Sequence, residues 1–106
     1  MTVYKSGKAW VDNLIVIKAL PNEHEFSRYG FSVAKEVGKA VVRNRVRRRL
    51  KEIARVTSVK PGWDIVFIAR PTAATADYQQ LKKSLEKLLF RAHLIDKDET
   101  IHAGVN

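Results

Sequence analysis

Nine cationic side chains fall within residues 35–55: Lys35, Lys39, Arg43, Arg45, Arg47, Arg48, Arg49, Lys51 and Arg55. Only Glu36 and Glu52 oppose them, so this segment holds +7 of the chain's formal +9. A field that concentrated attracts polyanions, and its Arg bias suits planar, bidentate contact with phosphates. Like charges three and four apart cost a few tenths of a kcal/mol each. Arg43/Arg47, Arg45/Arg49, Arg47/Lys51 and Arg48/Lys51 are such pairs. A sequence that accepts this self-repulsion points to an anionic partner rather than to a merely solvated helix.

The chemistry on offer is binding, not bond cleavage by side chains. A protein nuclease needs carboxylates or histidines converging on a phosphate, and the 11 acidic residues form no such cluster. His24, His93 and His102 lack metal-ligand spacing. Asp96, Asp98 and Glu99 lack a cation-loop motif. No Ser/His/Asp grouping, Walker loop or GxGxxG is present. Trp10 and Trp63 have faces that could stack on bases. Trp63, beside Pro61-Gly62 and an apolar strand, reads instead as a residue at the edge of the core.

The elements that must hold the basic segment follow from periodicity. Leu14 to Leu20 is β-branched and apolar, broken only by Lys18, and reads as a strand ended by Pro21-Asn22. Arg28 to Ala34 alternates: Tyr29, Phe31 and Val33 point one way, and the small or polar Gly30, Ser32 and Ala34 the other. That second face is expected to be solvated or open to a ligand. Gly38 marks a loop before a helix over 43–57, whose stripe is Val46, Leu50, Ile53 and Thr57. Asp64 to Ala69 is apolar on both faces and reads as a buried central strand. Asp77 and Gln80 form a capping box for a last helix. Tyr78, Leu81, Leu85, Leu88, Leu89 and Ala92 are its buried stripe, and its aromatics, Tyr78 to Phe90, are assigned to the core. A short extra strand is placed around Ala9–Val11.

The expected fold is an α+β sandwich, with helices against a mostly antiparallel central sheet. A βαβ crossover through the basic helix follows if the strands on either side of it pair in parallel, which periodicity does not decide. One domain over 1–95 and a flexible tail over 96–106 are expected. With no cysteine, no membrane-length apolar run and no secretory layout, a cytoplasmic protein is expected.

On a wheel of 100° per residue, Arg43, Arg47 and Lys51 line one flank of the stripe, with Asn44 near the end of the row. Arg45 and Arg49 line the other, and Arg48 and Arg55 lie on the far side. Both flanks are expected to be available to phosphates.

The run Lys35-x-x-Gly38-x-Ala40-Val41-x-Arg43-Asn44-Arg45-Val46-Arg47-Arg48-x-Leu50-Lys51 resembles the signature of the bacterial ribonuclease P protein subunit. The resemblance extends through Arg28-Tyr-Gly30-Phe-Ser32-Val33 before it and Asp64-to-Pro71 and the last helix after it, about residues 4–95. It implies an accessory protein whose partner, a catalytic RNA, cuts the 5′ leader from precursor tRNA with magnesium ions held mainly by RNA. The enzyme label then belongs to the complex, with the protein a monomer in a one-to-one assembly. It also implies the fold of the second domain of a small-subunit ribosomal protein, with a left-handed crossover. Carried over residue by residue, Lys35, Lys39, Arg43, Asn44, Arg45 and Arg48 face catalytic RNA or its metals. Arg47, Lys51, Ser32 and Tyr4 border a cleft for the single-stranded leader.

Three positions depart from the family pattern. Glu36 stands where a second basic residue is usual, so that position is not expected to touch phosphate. Lys18 replaces a stacking aromatic at the cleft, which suggests phosphate contact there. The basic arm and helix that usually precede Tyr4-Lys-Ser-Gly7 are mostly missing, which bears on the leader cleft. Two other functions fit a basic helix: a ribosomal or general RNA-binding protein with no role in cleavage, and a DNA-binding protein. The last lacks a helix-turn-helix partner, because strands flank the basic helix.

Overall fold

The computed structural model describes residues 7–95. The strands are β1 (Lys8–Val11), β2 (Ile15–Pro21), β3 (Arg28–Val33) and β4 (Trp63–Ala69). The helices are α1 (Ala40–Val56) and α2 (Tyr78–Arg91), each preceded by a short 3₁₀ turn, Lys35–Val37 and Pro71–Thr75.

Sheet order is β1-β2-β4-β3. β1 and β2 pair antiparallel, as do β2 and β4, while β3 and β4 run parallel. Parallel neighbours need a crossover, and α1 supplies it. The basic helix is therefore the connection of a βαβ unit, which resolves the pairing that periodicity left open. β4 is the central strand, with Ile65, Val66 and Phe67 all buried.

One face of the sheet carries Ile15, Ile17, Ala19, Ile65, Phe67 and Val33, which share a core with Val46, Leu50 and Ile53 of α1 and Leu81, Leu85, Leu88 and Leu89 of α2. Phe31 stacks on Phe67 in the same layer, with ring centroids 5.4 Å apart. Val46, Leu50 and Ile53 are fully buried. Each contributes roughly 1.5–3 kcal/mol relative to exposure, enough to fix the helix against its own charge repulsion. Gly30, Ser32, Lys18 and Val66 point to the opposite face, because the pleat alternates and their partners are in register.

α1 begins at Ala40, three residues earlier than periodicity suggests. Val41 and Val42 are weak helix formers, but Val42 packs against the core and the first helical bond runs from Arg43 N–H to Lys39 C=O. Gly38 sits at φ 154°, and a Cβ there would lie 3.1 Å from Val42 Cβ. The entry into α1 therefore requires glycine. At the other end Thr57 is the C-cap, and its hydroxyl donates to Ile53 C=O at 2.7 Å.

α2 starts with the expected capping box. Gln80 N–H donates to Asp77 Oδ1 at 2.8 Å, and Asp77 N–H to Gln80 Oε1 at 2.9 Å. Tyr78 packs against the core, but Phe90 is 36% exposed, so placing it in the core is corrected. It lies on the solvent side of the stripe that Leu85, Leu88 and Leu89 fill. Trp63 is half-buried at the core edge, as expected. Leu94 and Ile95 are buried, and Leu94 C=O accepts from Lys60 N–H at 2.8 Å. The tail over 96–106 and Tyr4 lie outside the described residues.

Candidate RNA interface

The exposed face of α1 forms a shallow depression of about 480 Å³, lined by Asn44, Arg47, Arg48, Lys51, Glu52 and Arg55. The buried stripe sets its orientation, because Val46, Leu50 and Ile53 turn these side chains outward. Asn44 Oδ1 accepts from Arg47 Nη1 at 3.1 Å. Arg55 grips Glu52 through Nε and Nη2 at 3.1 and 2.6 Å. That contact lowers the Glu52 pKa, despite a smaller opposing effect of desolvation. Glu52, the only acid in the depression, is thus already neutralised by its own helix. Arg47, Arg48 and Lys51 carry its surplus charge.

The other flank is used differently. Arg45 Nη2 donates to Ala74 C=O at 3.0 Å and Arg49 Nη1 to Ala76 C=O at 2.9 Å. These carbonyls belong to the turn and linker before α2. Arg45 Nε is buried and, among the described residues, has no partner. The expectation that both flanks stay available is therefore corrected: Arg45 and Arg49 anchor α1 to residues 74–76. Arg43 is half-buried, and its Nε donates to Gly38 C=O at 3.1 Å, bracing the loop that enters the helix. Lys35 and Lys39 are exposed on that loop, and no side chain caps the first turn of α1. Its leading N–H groups are left for an outside acceptor.

The residues assigned to a leader cleft do not all converge. Arg47 and Lys51 lie in the α1 depression, which contains no β3 residue. Ser32 and Lys18 lie on the sheet face turned away from the helices. Lys18 is opposite Val66, which is opposite Gly30, and Ser32 is opposite Ile68. β3 is an edge strand, so a path joining the two groups must cross that edge. The small polar surface belongs to β3 alone, because β4 contributes Val66 and Ile68 beside it.

Sequence reasoning missed the Glu52–Arg55 pair as part of the depression. The i,i+3 spacing of opposite charges was the available signal. It also missed Asp12, an acceptor for Leu14 and Ile15 N–H at 2.9 and 3.0 Å, for Ser84 Oγ at 2.5 Å and for Lys87 Nζ at 3.2 Å. Burial pushes the Asp12 carboxyl up, but these contacts together hold it below its ordinary value. They tie the β1–β2 turn to α2. Among the described residues no cluster of three or more His, Asp or Glu could hold a metal ion.

A family profile described as Ribonuclease P matches residues 1–93. The ribonuclease P protein component of Dehalococcoides mccartyi is 47% identical over 95 residues, covering 90% of this chain and 79% of that protein. That of Clostridioides difficile is 45% identical, covering 87% and 83%. The solved Staphylococcus aureus RNase P protein is 32% identical, covers 90% of this chain and 89% of its own, and superposes with a TM-score of 0.82. The Thermotoga maritima protein is 30% identical, covers 84% and 86%, and gives 0.78. A basic crossover helix with an outward-facing Arg47–Arg48–Lys51 surface, within a sequence and a fold this similar, makes the chain a member of the ribonuclease P protein family, the accessory protein of a tRNA-processing ribonucleoprotein endoribonuclease.

Proposed function

We propose that the outward face of α1, with Lys35 and Lys39 leading into it, is the surface that meets the catalytic RNA of ribonuclease P. The observation that supports this most is the depression itself. Three cations and an amide face out of a helix locked from behind by Val46, Leu50 and Ile53 and from the side by Arg45 and Arg49. A rigid cationic surface binds RNA largely by releasing counterions, and its fixed geometry adds register. The substrate is precursor tRNA, and the protein acts as a monomer in a one-to-one complex with the RNA in the cytoplasm. Among the described residues no helix is long and apolar enough to cross a membrane. Magnesium ions, when bound, would supply electrostatic stabilisation of the cleaved phosphodiester. The chain's residues position RNA, and the ions reside with the RNA. The leader runs over the β3 edge, between Lys18 and Ser32 on the sheet face and Arg47 and Lys51 on the helix.

The decisive experiment is cleavage of a precursor tRNA by a bacterial ribonuclease P RNA at low magnesium, with and without this protein. Stimulation is the expected result. Binding of the RNA with no stimulation of cleavage overturns the reading in favour of a static RNA-binding protein.

A further inference from the structure

At the sheet edge opposite β3, the helix-facing side of the sheet continues past the end of α2. Lys8 and Trp10 from β1, Ala19 and Pro21 from β2 and Trp63 from β4 line a cavity of about 280 Å³ there, together with His93. Register explains the grouping. Lys8 is opposite Ala19, Trp10 opposite Ile17, and Pro21 opposite Trp63, so all of them project from one face. The two indoles come from the strands on either side of β2, two strand spacings apart across the sheet and offset along it, because Trp10 pairs with Ile17 and Trp63 with Pro21. The small Ala19 side chain lies on the floor between those strands. No α1 residue takes part.

Three features separate this cavity from an ordinary core edge. Each tryptophan packs only partly against the core, and among the described residues neither indole N–H has a hydrogen-bond acceptor. The lining contains no carboxylate, and Lys8 has no ion pair among the described residues. His93 is the residue after the C-cap of α2 and sits at φ 60°. Leu94 N–H donates to Leu89 C=O at 2.9 Å and His93 N–H to Phe90 C=O at 3.0 Å, the double bond pattern that closes a helix through a left-handed residue. Glycine adopts that conformation without strain; side chains there are uncommon, with histidine among those that tolerate it best. An imidazole held at a backbone cost on the wall of a cavity is a reason to ask what the cavity holds.

From these observations we infer that the cavity binds one unpaired nucleotide of an RNA strand. Its base stacks on an indole face and its phosphate is held by Lys8, with His93 closing over it. The cavity offers π-faces and N–H donors, which complement an acceptor-rich base and an anionic phosphate. Stacking on indoles tolerates any base. An apolar peptide side chain would leave Lys8 and both indole N–H groups unused. The inference rests on an RNA partner, but it assigns a second contact on the helix-facing side of the sheet, at the β1 edge rather than on α1.

Trp10 and Trp63 are the chain's only tryptophans, so fluorescence excited at the red edge, where tyrosine does not absorb, reads this cavity alone. The test titrates the full chain with pentaadenylate, pentauridylate and adenosine monophosphate. Saturable quenching by the oligonucleotides is expected, with weaker binding of the mononucleotide. Lys8→Glu should weaken it at least tenfold, and Trp10→Leu should remove most of the signal change. An Arg43→Ala/Arg47→Ala/Arg48→Ala variant should keep saturable quenching. His93→Gly is the sharpest variant: its melting midpoint should equal or exceed the parent's, while oligonucleotide affinity falls at least threefold. A purely structural histidine would not separate the two. The inference is overturned by an absence of quenching in a parent protein that binds ribonuclease P RNA. It is overturned equally if quenching survives Lys8→Glu but vanishes in the α1 triple variant, or if only apolar peptides perturb the indoles. A protein that quenches with oligonucleotides yet fails to stimulate cleavage would sink the reading of α1 and leave this one standing.

Discussion

Asn44 Oδ1 accepts a hydrogen bond from Arg47 Nη1 at 3.1 Å, one turn further along α1. The single neutral amide on an otherwise cationic face thereby aims the guanidinium next to it. A lysine at 44 would add charge but could not accept that bond. The amide also has an N–H₂ group left for a base edge, a sugar hydroxyl or a metal-bound water. Asn44→Ala is therefore expected to lower cleavage while leaving the dependence of RNA affinity on salt nearly unchanged. Asn44→Asp, which keeps the acceptor, should preserve the Arg47 geometry but weaken RNA affinity. A loss of activity in Asn44→Ala that weaker binding accounts for entirely would contradict a geometric role.

Arg45 and Arg48 are neighbours in kind but not in task. Arg48 lines the open depression, whereas Arg45 donates to Ala74 C=O and has a buried Nε. A hydrogen bond from a charged donor is worth about 1.5–3 kcal/mol. Arg45→Ala should therefore destabilise the fold by about 1.5 kcal/mol and lower the melting temperature by several degrees. Arg48→Ala should leave melting unchanged. In RNA binding the order reverses: Arg48→Ala should flatten the slope of log K against log salt by about 0.7–0.9, one phosphate's worth, and Arg45→Ala by less. Equal slopes and equal melting temperatures for the two variants would show that the flanks do not divide their work.

The contrast between those arginines also marks where the sequence stops being legible. The Val46–Leu50–Ile53 stripe is readable because its spacing matches a helix, and the Asp77–Gln80 box because its chemistry is local. The partners of Arg45 and Arg49 lie 29 and 27 residues further on. No spacing rule links them, so the wheel leaves both flanks looking free. The parallel pairing of β3 with β4 is equally silent, since either direction satisfies the same alternation. The Gly30–Ser32 face is correctly read as turned away from Phe31 and Val33. Its relation to Arg47 and Lys51 is not readable, because that depends on the helix layer lying on the other side of an edge strand. Phe90 is misassigned because aromatic character is a weaker guide than position on the wheel.

Asp64 should control acid stability. Its carboxylate accepts from Arg28 Nε and Nη2 at 2.8 and 2.6 Å and from Asn22 Nδ2 at 2.9 Å. The Arg28 bonds dominate, and despite burial they hold its pKa down to about 2, below the ordinary 3.8. A carboxyl whose folded pKa is depressed contributes stability in full above its unfolded value, and that contribution is lost as pH falls through the folded value. The contribution should be intact above about pH 4 and fade between about pH 4 and pH 2. Asp64→Asn should be less stable at pH 7 and should lose much of the fall in melting temperature across that window. An unchanged acid limb in Asp64→Asn would place the acid-sensitive group elsewhere, with Asp12 the next candidate because its pKa is also lowered.

The path of the leader across the β3 edge is the most exposed proposal. Ser32 is half-buried on the face away from α1, opposite Ile68, and its neighbours Phe31 and Val33 point into the core. A bulky side chain at 32 can fill that surface without displacing the core. Ser32→Trp is expected to abolish the preference for precursor over mature tRNA. Affinity for the catalytic RNA should stay within about threefold, a shift under roughly 0.7 kcal/mol on the scale of 1.4 per tenfold. Arg47→Ala should reduce the same preference from the other wall, but should also weaken catalytic-RNA binding, because Arg47 belongs to the α1 depression as well. The pair of variants separates the two walls. If the leader stays entirely on the helix side, Arg47→Ala alone will affect the preference and a folded Ser32→Trp protein will retain it. If the leader crosses the edge, both variants will lose it, and only Arg47→Ala will also lose affinity for the catalytic RNA.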